Sequence, residues 1–317
     1  MATKKRPRPK QARGAARRGP AAGRKALAAL AGLALFAGGL YLGGRAMLRF
    51  TAGKPAPKAA TARPSPSPAP RRAPRPPSTT SGPASAAPQN PRPVRLGLVI
   101  DDLGRSLQEV QEIVALGVPV TYAVLPFESL TPRVVEDLRR RQVEILCHLP
   151  MEPAGKENPG FGALREGMSP TELVEATNRA LDAVPGAVGV NNHMGSEISA
   201  DPAAMRAVLG VLAERGLYYL DSRTSSQSVG YREAIALGLP AAERLVFLDP
   251  EPGAEAVRQE FRRFLDLARE RGAAIAIGHP HPTTFAVLRE EIPRARAAGF
   301  EFVPVSFLLD RPGPGPE

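Results

Sequence analysis

Asp101 and Asp102 stand side by side just after an apolar run, and all four histidines of the chain, His148, His193, His279 and His281, follow other such runs. The polar stretches read Asp101-Asp102-Leu103-Gly104, His148-Leu149-Pro150-Met151-Glu152-Pro153, Asn191-Asn192-His193-Met194-Gly195-Ser196, Asp221-Ser222-Arg223-Thr224 and Gly278-His279-Pro280-His281-Pro282. Random scatter would rarely place every histidine at such an end and none elsewhere. Two carboxylates and several imidazoles on one rim suit a divalent metal of the zinc type, whose catalytic sites typically take three protein ligands and leave a position for water. Such an ion lowers the pKa of its water toward ~7 and polarises a carbonyl, so hydrolysis proceeds at neutral pH. A carboxylate beside the metal can take the water's proton, and a histidine opposite can give one to the leaving group. Cys147, the single cysteine, excludes an internal disulfide framework and a Cys-based zinc finger. It reads as a small buried hydrophobe rather than a nucleophile. No Gly-rich phosphate loop is present, because Gly160-Phe161-Gly162 has no strand before it; Gly155–Gly167 reads as a mobile rim loop.

These ends can meet only if a sheet gathers them. From Val94 short apolar runs alternate with amphipathic stretches: 96–100 then 107–116, 120–125 then 133–141, 143–147 then 170–184, and 188–190 then 203–214. The series continues with 217–220, with 245–248 then 254–271, with 273–277 then 285–298, and with 302–305. The apolar runs do not alternate with polar residues, which marks strands of parallel type buried on both faces. Repeated strand–helix units predict an α/β sheet, either open or rolled into a barrel. In a barrel the functional groups are expected at the C-terminal strand ends, where the polar stretches lie.

The charges divide the chain. Residues 1–100 hold 20 of the 42 Lys and Arg and none of the 31 acids, so the formal charge is +20 there and 22 − 31 = −9 in 101–317. A globular nucleic-acid binder with a basic face is therefore disfavoured, since the part able to fold is acidic. Residues 4–25 carry ten basic side chains, and 26–44 are uncharged and rich in Ala, Leu and Gly. At about 1.5 Å per residue that run spans roughly 28 Å, close to the ~30 Å of a hydrocarbon core. It exceeds the typical apolar region of a cleaved signal peptide, the alternative reading, and Arg45 and Arg49 follow without an obvious cleavage site. Between 51 and 93, 13 of 43 residues are Pro, a composition that cannot bury a core and favours an extended tether. The expected organisation is a basic cytoplasmic tail at 1–25, a transmembrane anchor at 26–48, a Pro/Ala-rich disordered linker at 49–93, a folded domain at 94–312 and a tail at 313–317. Positive-inside bias then makes this a single-pass protein of a bacterial inner membrane with its domain in the periplasm or beyond.

The five polar stretches, in this order, resemble the polysaccharide deacetylases of the NodB-like carbohydrate esterase superfamily, and more closely their divergent branch, over about 94–310. The resemblance implies a distorted (β/α) barrel, a zinc-like metal held by one Asp and two His, and removal of an N- or O-acetyl group from a glycan. By position it implies Asp102 and His148 as metal ligands, Asp101 as general base and His279 as general acid. In the main family the two ligand histidines lie four residues apart, but here that position is Glu152. The third ligand is then Glu152 or comes from elsewhere, and His193, which restores an Asp-His-His set, is the better candidate. The two aspartates could exchange roles, since spacing does not settle which faces the metal. Glu152, Asn192, Asp221, Arg223 and His281 are candidates for binding or orienting the substrate. Asp221 and Arg223 read equally as a structural ion pair, and Asn191 and Asn192 as holders of loop backbone. The expected function is a metal-dependent hydrolase deacetylating an envelope carbohydrate. The alternatives are a protein on the same fold that binds a glycan or envelope partner without turnover and, more remotely, a metal-dependent phosphohydrolase.

Overall fold

The computed structural model describes residues 93–311. In chain order the elements are β1 (Val94–Leu103), α1 (Leu107–Val114), β2 (Thr121–Val124), α2 (Thr131–Arg141), β3 (Ile145–Met151), α3 (Pro170–Ala183), β4 (Gly189–Met194), α4 (Pro202–Arg215), β5 (Tyr218–Asp221), α5 (Gly230–Ala236), β6 (Ala241–Glu243), β7 (Val246–Phe247), α6 (Ala254–Arg271), β8 (Ala273–Gly278), α7 (Pro282–Ala297) and β9 (Phe300–Val303). The strands form one parallel sheet in the order β6-β5-β4-β3-β2-β1-β8-β7, with β9 added against the first half of β1. The sheet curls into a partial barrel. No ladder joins β6 to β7. Residues 308–310 occupy that side instead: Asp310 bridges Ala241 in antiparallel fashion, and Leu308 and Leu309 pack on the interior cluster.

Both faces of the strands are buried, which is why the sequence shows unbroken apolar runs. Leu96, Leu98 and Ile100 of β1, Ile145, Cys147 and Leu149 of β3, Val190 of β4 and Tyr219 of β5 join the large core that includes the helices' apolar residues. The alternate residues Val99, Ala123, Leu146, Leu220, Ile275 and Ile277 form a smaller cluster inside the curl, capped by Val305. Period two then fixes the site. Two residues beyond Val99, Leu146, Leu220 and Ile277, on the same face, come Asp101, His148, Ser222 and His279. At Gly97, lower in the curl, a Cβ would stand 3.0 Å from Leu308 and 3.2 Å from Ile275, so a side chain there competes with the plug.

The expected distorted barrel is thus found as a half-closed parallel sheet, and the expected strands recur within a few residues. The sequence reading names no element between Leu220 and Leu245, and the structure has α5 and β6 there. Seven helical residues and three strand residues are too short to leave a periodic signature. Among the described residues no helix is long and apolar enough to cross a membrane. The expected cytoplasmic tail, the anchor, the linker apart from its last residue, and the C-terminal tail lie outside the described residues.

Candidate active site

Adjacent strand residues normally point to opposite faces, so Asp101 and Asp102 should not share a cleft. They do because β1 breaks register between Ile100 and Leu103, and Asp102 takes a left-handed φ of 60°. Aspartate is one of the few non-glycine residues that accept this conformation readily. The turn brings Asp102 Oδ1 to 3.2 Å from His148 Nε2 at the end of β3 and 2.9 Å from His193 Nδ1 near the end of β4. The two nitrogens are 3.2 Å apart. Ligand atoms at about 2.1 Å from one ion stand roughly 3.0–3.4 Å from each other, so the triangle fits a single divalent cation. Asp102 Oδ1 is buried and finds no hydrogen bond of acceptable geometry, which the same ion would remedy. Burial works against the charge on Asp102, but its interactions with His148 and His193 hold its carboxyl far below the ordinary range.

A second ring of contacts orients these groups. Asn191, buried on β4 and facing the curl, lies 3.0 Å from His148 Nδ1 through its Oδ1 and donates its Nδ2 to Asp101 Oδ1 at 2.8 Å. An amide oxygen can only accept, so Nδ1 carries the hydrogen and Nε2 keeps its lone pair for a metal. Asp101 stays clear of the triangle, with its Oδ2 3.5 Å from His148 Nε2. Burial pushes its carboxyl up, opposed by the charges of His148 and His279 and by the Asn191 bond.

Across the cleft, His279 leaves β8 with Nδ1 3.0 Å from Asp249 Oδ1, while its backbone N–H donates to Asp249 Oδ2 at 2.8 Å. Thr284 donates to the same Oδ2 at 2.7 Å. Asp249 therefore fixes both the position and the tautomer of the ring. Burial alone would push His279 down, but the Asp249 bond and the charges of Asp101, Asp249 and Asp102 raise it to about 9. Asp249, His279 and His281 make a second group of possible metal ligands among the described residues. Both Asp249 oxygens are already bonded and His281 is exposed, so this group leaves no free carboxylate oxygen for an ion.

The remaining sequence candidates lie around this centre. Glu152 is outside the triangle: it accepts from the Glu166 backbone N–H at 2.6 Å and ties back the rim loop. Asn192, on the opposite face of β4 from Asn191, accepts from Tyr219 Oη and Ser222 N and donates to the Met194 carbonyl, so it fastens two loops rather than touching the cation site. Asp221 accepts from the backbone N–H of Arg223 and Tyr231 and from Ser228 Oγ, while the Arg223 guanidinium pairs with Glu243 at 3.4 Å. The two are a loop staple and a rim cation, not an ion pair with each other. His281 stacks on His279 with ring centroids 5.8 Å apart, at the mouth.

The sequence reading missed Asp249, although it follows the apolar run 245–248 as the other polar residues follow theirs. It also missed Arg244, which donates to the backbone oxygens of Ser222 and Arg223 and lies over Phe247 at 5.2 Å, tying the β5 loop across the open seam. No spacing marked that residue.

Comparison with known proteins follows the same lines. The family model described as divergent polysaccharide deacetylase matches residues 98–309. The uncharacterized protein YibQ of Escherichia coli is 36% identical over 198 residues, which cover 62% of each chain. An uncharacterized protein of Haemophilus influenzae is 36% identical over 195 residues, 62% of this chain and 70% of that one. The match thus spans about three fifths of the Escherichia coli relative's length. The crystal structure of the uncharacterized protein ATU2773 from Agrobacterium tumefaciens superimposes with a TM-score of 0.65 at 28% identity, over 71% of this chain and 92% of that one. A family match over more than half its length, on a curled parallel sheet with this arrangement of polar strand ends, places the chain in the divergent polysaccharide deacetylase family.

Proposed function

We propose that the domain is a metal-dependent hydrolase that removes N- or O-acetyl groups from an envelope carbohydrate. The observation that carries this reading is the cleft in which the Asp102–His148–His193 triangle meets the unligated Asp101 and the Asp249-backed His279. A zinc-type ion held by the triangle would supply a water of lowered pKa and a Lewis acid for the acetyl carbonyl. Asp101 accepts the proton of the attacking water, and its raised carboxyl makes it a stronger base than a surface aspartate. His279, protonated at neutral pH, donates to the departing amine or alcohol while Asp249 holds the far side of its ring. His193 fills the place that Glu152 leaves vacant in the expected ligand spacing, so base, ligands and acid form a full set. The basic residues and apolar run of 1–48 support an envelope location, with the chain anchored in the inner membrane and the domain outside the cytoplasm.

The test uses the purified full-length chain loaded with zinc and a panel of N- and O-acetylated glycans, with released acetate as the readout. Acetate release is expected, and Asp101→Asn should keep its metal yet lose about 10²–10⁴ in rate. A metal-loaded wild type that binds one of the glycans but releases no acetate would overturn hydrolysis in favour of a binding protein.

A further inference from the structure

The two ends of the curled sheet differ in character. Each of the helices α1 to α7 starts at the end where the cleft opens and finishes beside the N-termini of the strands, where Val94 joins the rest of the chain. The seven loops leading from strand to helix, at the mouth of the cleft, carry eight acids and four bases, so that end is acidic. The seven loops leading from helix to strand, at the far end, carry one charged residue, Glu144. Its carboxylate already accepts from Thr121 Oγ1 and Tyr218 Oη.

That far end is apolar where it meets solvent. Five large apolar side chains are exposed among the described residues, and four of them lie there. Val114 ends α1, Val188 precedes β4, Leu237 caps α5, and Phe307 sits on the segment that crosses beneath the curl. Phe307 is 66% exposed although its neighbours are fixed: the Val305 N–H donates to Thr121 Oγ1 and the Ser306 N–H to Glu144. Arginines stand at the same end. The last turns of α2, α4, α6 and α7 contain them, and Arg139, Arg271 and Arg296 are exposed with no ion-pair partner among the described residues. The helix macrodipole explains a cation at the end of a helix. It does not explain bare apolar side chains at the same end.

Apolar side chains with unpaired guanidinium groups, on a domain whose other end is acidic, match the surface of an anionic bilayer. Phosphodiester headgroups offer guanidinium groups bidentate partners, and the boundary beneath them takes apolar side chains. The four apolar residues come from separate elements, and a fluid surface takes each one singly. Another copy of the chain would meet like with like across a two-fold axis, arginine against arginine. We propose that this end of the domain is a docking face for an anionic lipid bilayer. Docked, the domain turns its acidic mouth away from the headgroups, at roughly the 27 Å length of the 18-residue α6. The inference goes beyond the hydrolase reading and stands without it.

The test reconstitutes the full-length chain in vesicles of equimolar phosphatidylglycerol and phosphatidylcholine, and in vesicles of phosphatidylcholine alone. A fluorophore on Ala298→Cys, exposed at the docking end, or on Phe161→Cys, exposed at the mouth, is read against a quencher carried by the lipid headgroups. Cys147, the only native thiol, is buried and stays unlabelled. Quenching is expected at 298 and not at 161, and only in the anionic vesicles. Combining Arg139→Gln, Arg271→Gln and Arg296→Gln should lower the docked-to-free ratio about 100-fold, at about fivefold per arginine. Phe307→Ser should lower it about tenfold. These residues are on the surface, and an unchanged melting temperature would show that the fold is intact. No quenching at 298, equal quenching at both positions, or quenching that survives the arginine changes would each overturn the proposal. A change at 298 that grows with protein concentration in the neutral vesicles would overturn it in favour of a protein interface. A chain that shows the contact at 298 yet is stripped off by high salt would sustain the docking face while refuting the anchor. A chain that resists salt with 298 unquenched would do the reverse.

Discussion

Replacing Asp249 by Asn changes one atom and should disable the acid proposed at His279. The carboxylate serves three donors at once: His279 Nδ1 at 3.0 Å, His279 N at 2.8 Å and Thr284 Oγ1 at 2.7 Å. An asparagine offers a single acceptor oxygen, so its amide must face at least one of those donors with another donor. The same carboxylate supplies the leading interaction that lifts His279 from 6.5 to about 9 against its burial. At about 1.4 kcal/mol per unit, that shift corresponds to ~3 kcal/mol between the two protonation states. A raised histidine stabilises the fold fully below its unfolded value, and the contribution fades as pH rises through about 9. Metal-stripped Asp249→Asn should therefore be destabilised most below pH 6.5, with the difference from wild type shrinking toward pH 9. The chain has only four histidines, so their titration can be followed individually by NMR, with His279→Ala giving the assignment. The His279 midpoint should fall by at least about one unit, and the alkaline limb of the rate profile should move down with it. A wild-type His279 midpoint near 6.5, or the same midpoint in both proteins, would refute the reasoning.

Asn191→Ala should weaken metal affinity about 10–100-fold, because it frees the His148 ring and one Asp101 oxygen; metal titration checks this. Asn192→Ala should spare the metal but cost about 1–3 kcal/mol in chemical denaturation, since it leaves Tyr219 Oη and the Ser222 N–H without their buried acceptor. Gly97→Val should cost about 1–3 kcal/mol by driving a side chain into Leu308 and Ile275. For the N-terminal segments, a reporter active only outside the cytoplasm and fused after Pro93 should be active; activity of a cytoplasm-only reporter at the same place would refute the anchor topology.

Much of the fold was legible because two-sided burial writes itself as unbroken apolar runs. The polar residues that interrupt those runs then stand out against an apolar background. That contrast made Asp101, Asp102 and the histidines visible without a structure. Which of two adjacent polar residues reaches the candidate metal ligands is set by the pleat and by local φ, and neither is written in composition. Asn191 and Asn192 are chemically identical, and the inward phase of β4 alone separates the one beside His148 from the one beside Tyr219. At Asp101-Asp102 the pleat would have chosen one, and the left-handed turn admits both. Arg244 escaped because its partners are backbone oxygens across the seam, a contact without a sequence pattern.

The most direct measurement is X-ray absorption at the zinc edge of the full-length chain reconstituted with one equivalent of metal. The account predicts stoichiometric binding, a shell of nitrogen and oxygen at about 2.0–2.1 Å, outer scattering from two imidazoles and no sulfur. His193→Ala should lose one imidazole, and Glu152→Ala should leave the spectrum unchanged. A site with a single imidazole, a site altered by Glu152→Ala but not by His193→Ala, or a chain that takes up no metal would contradict the Asp102–His148–His193 centre.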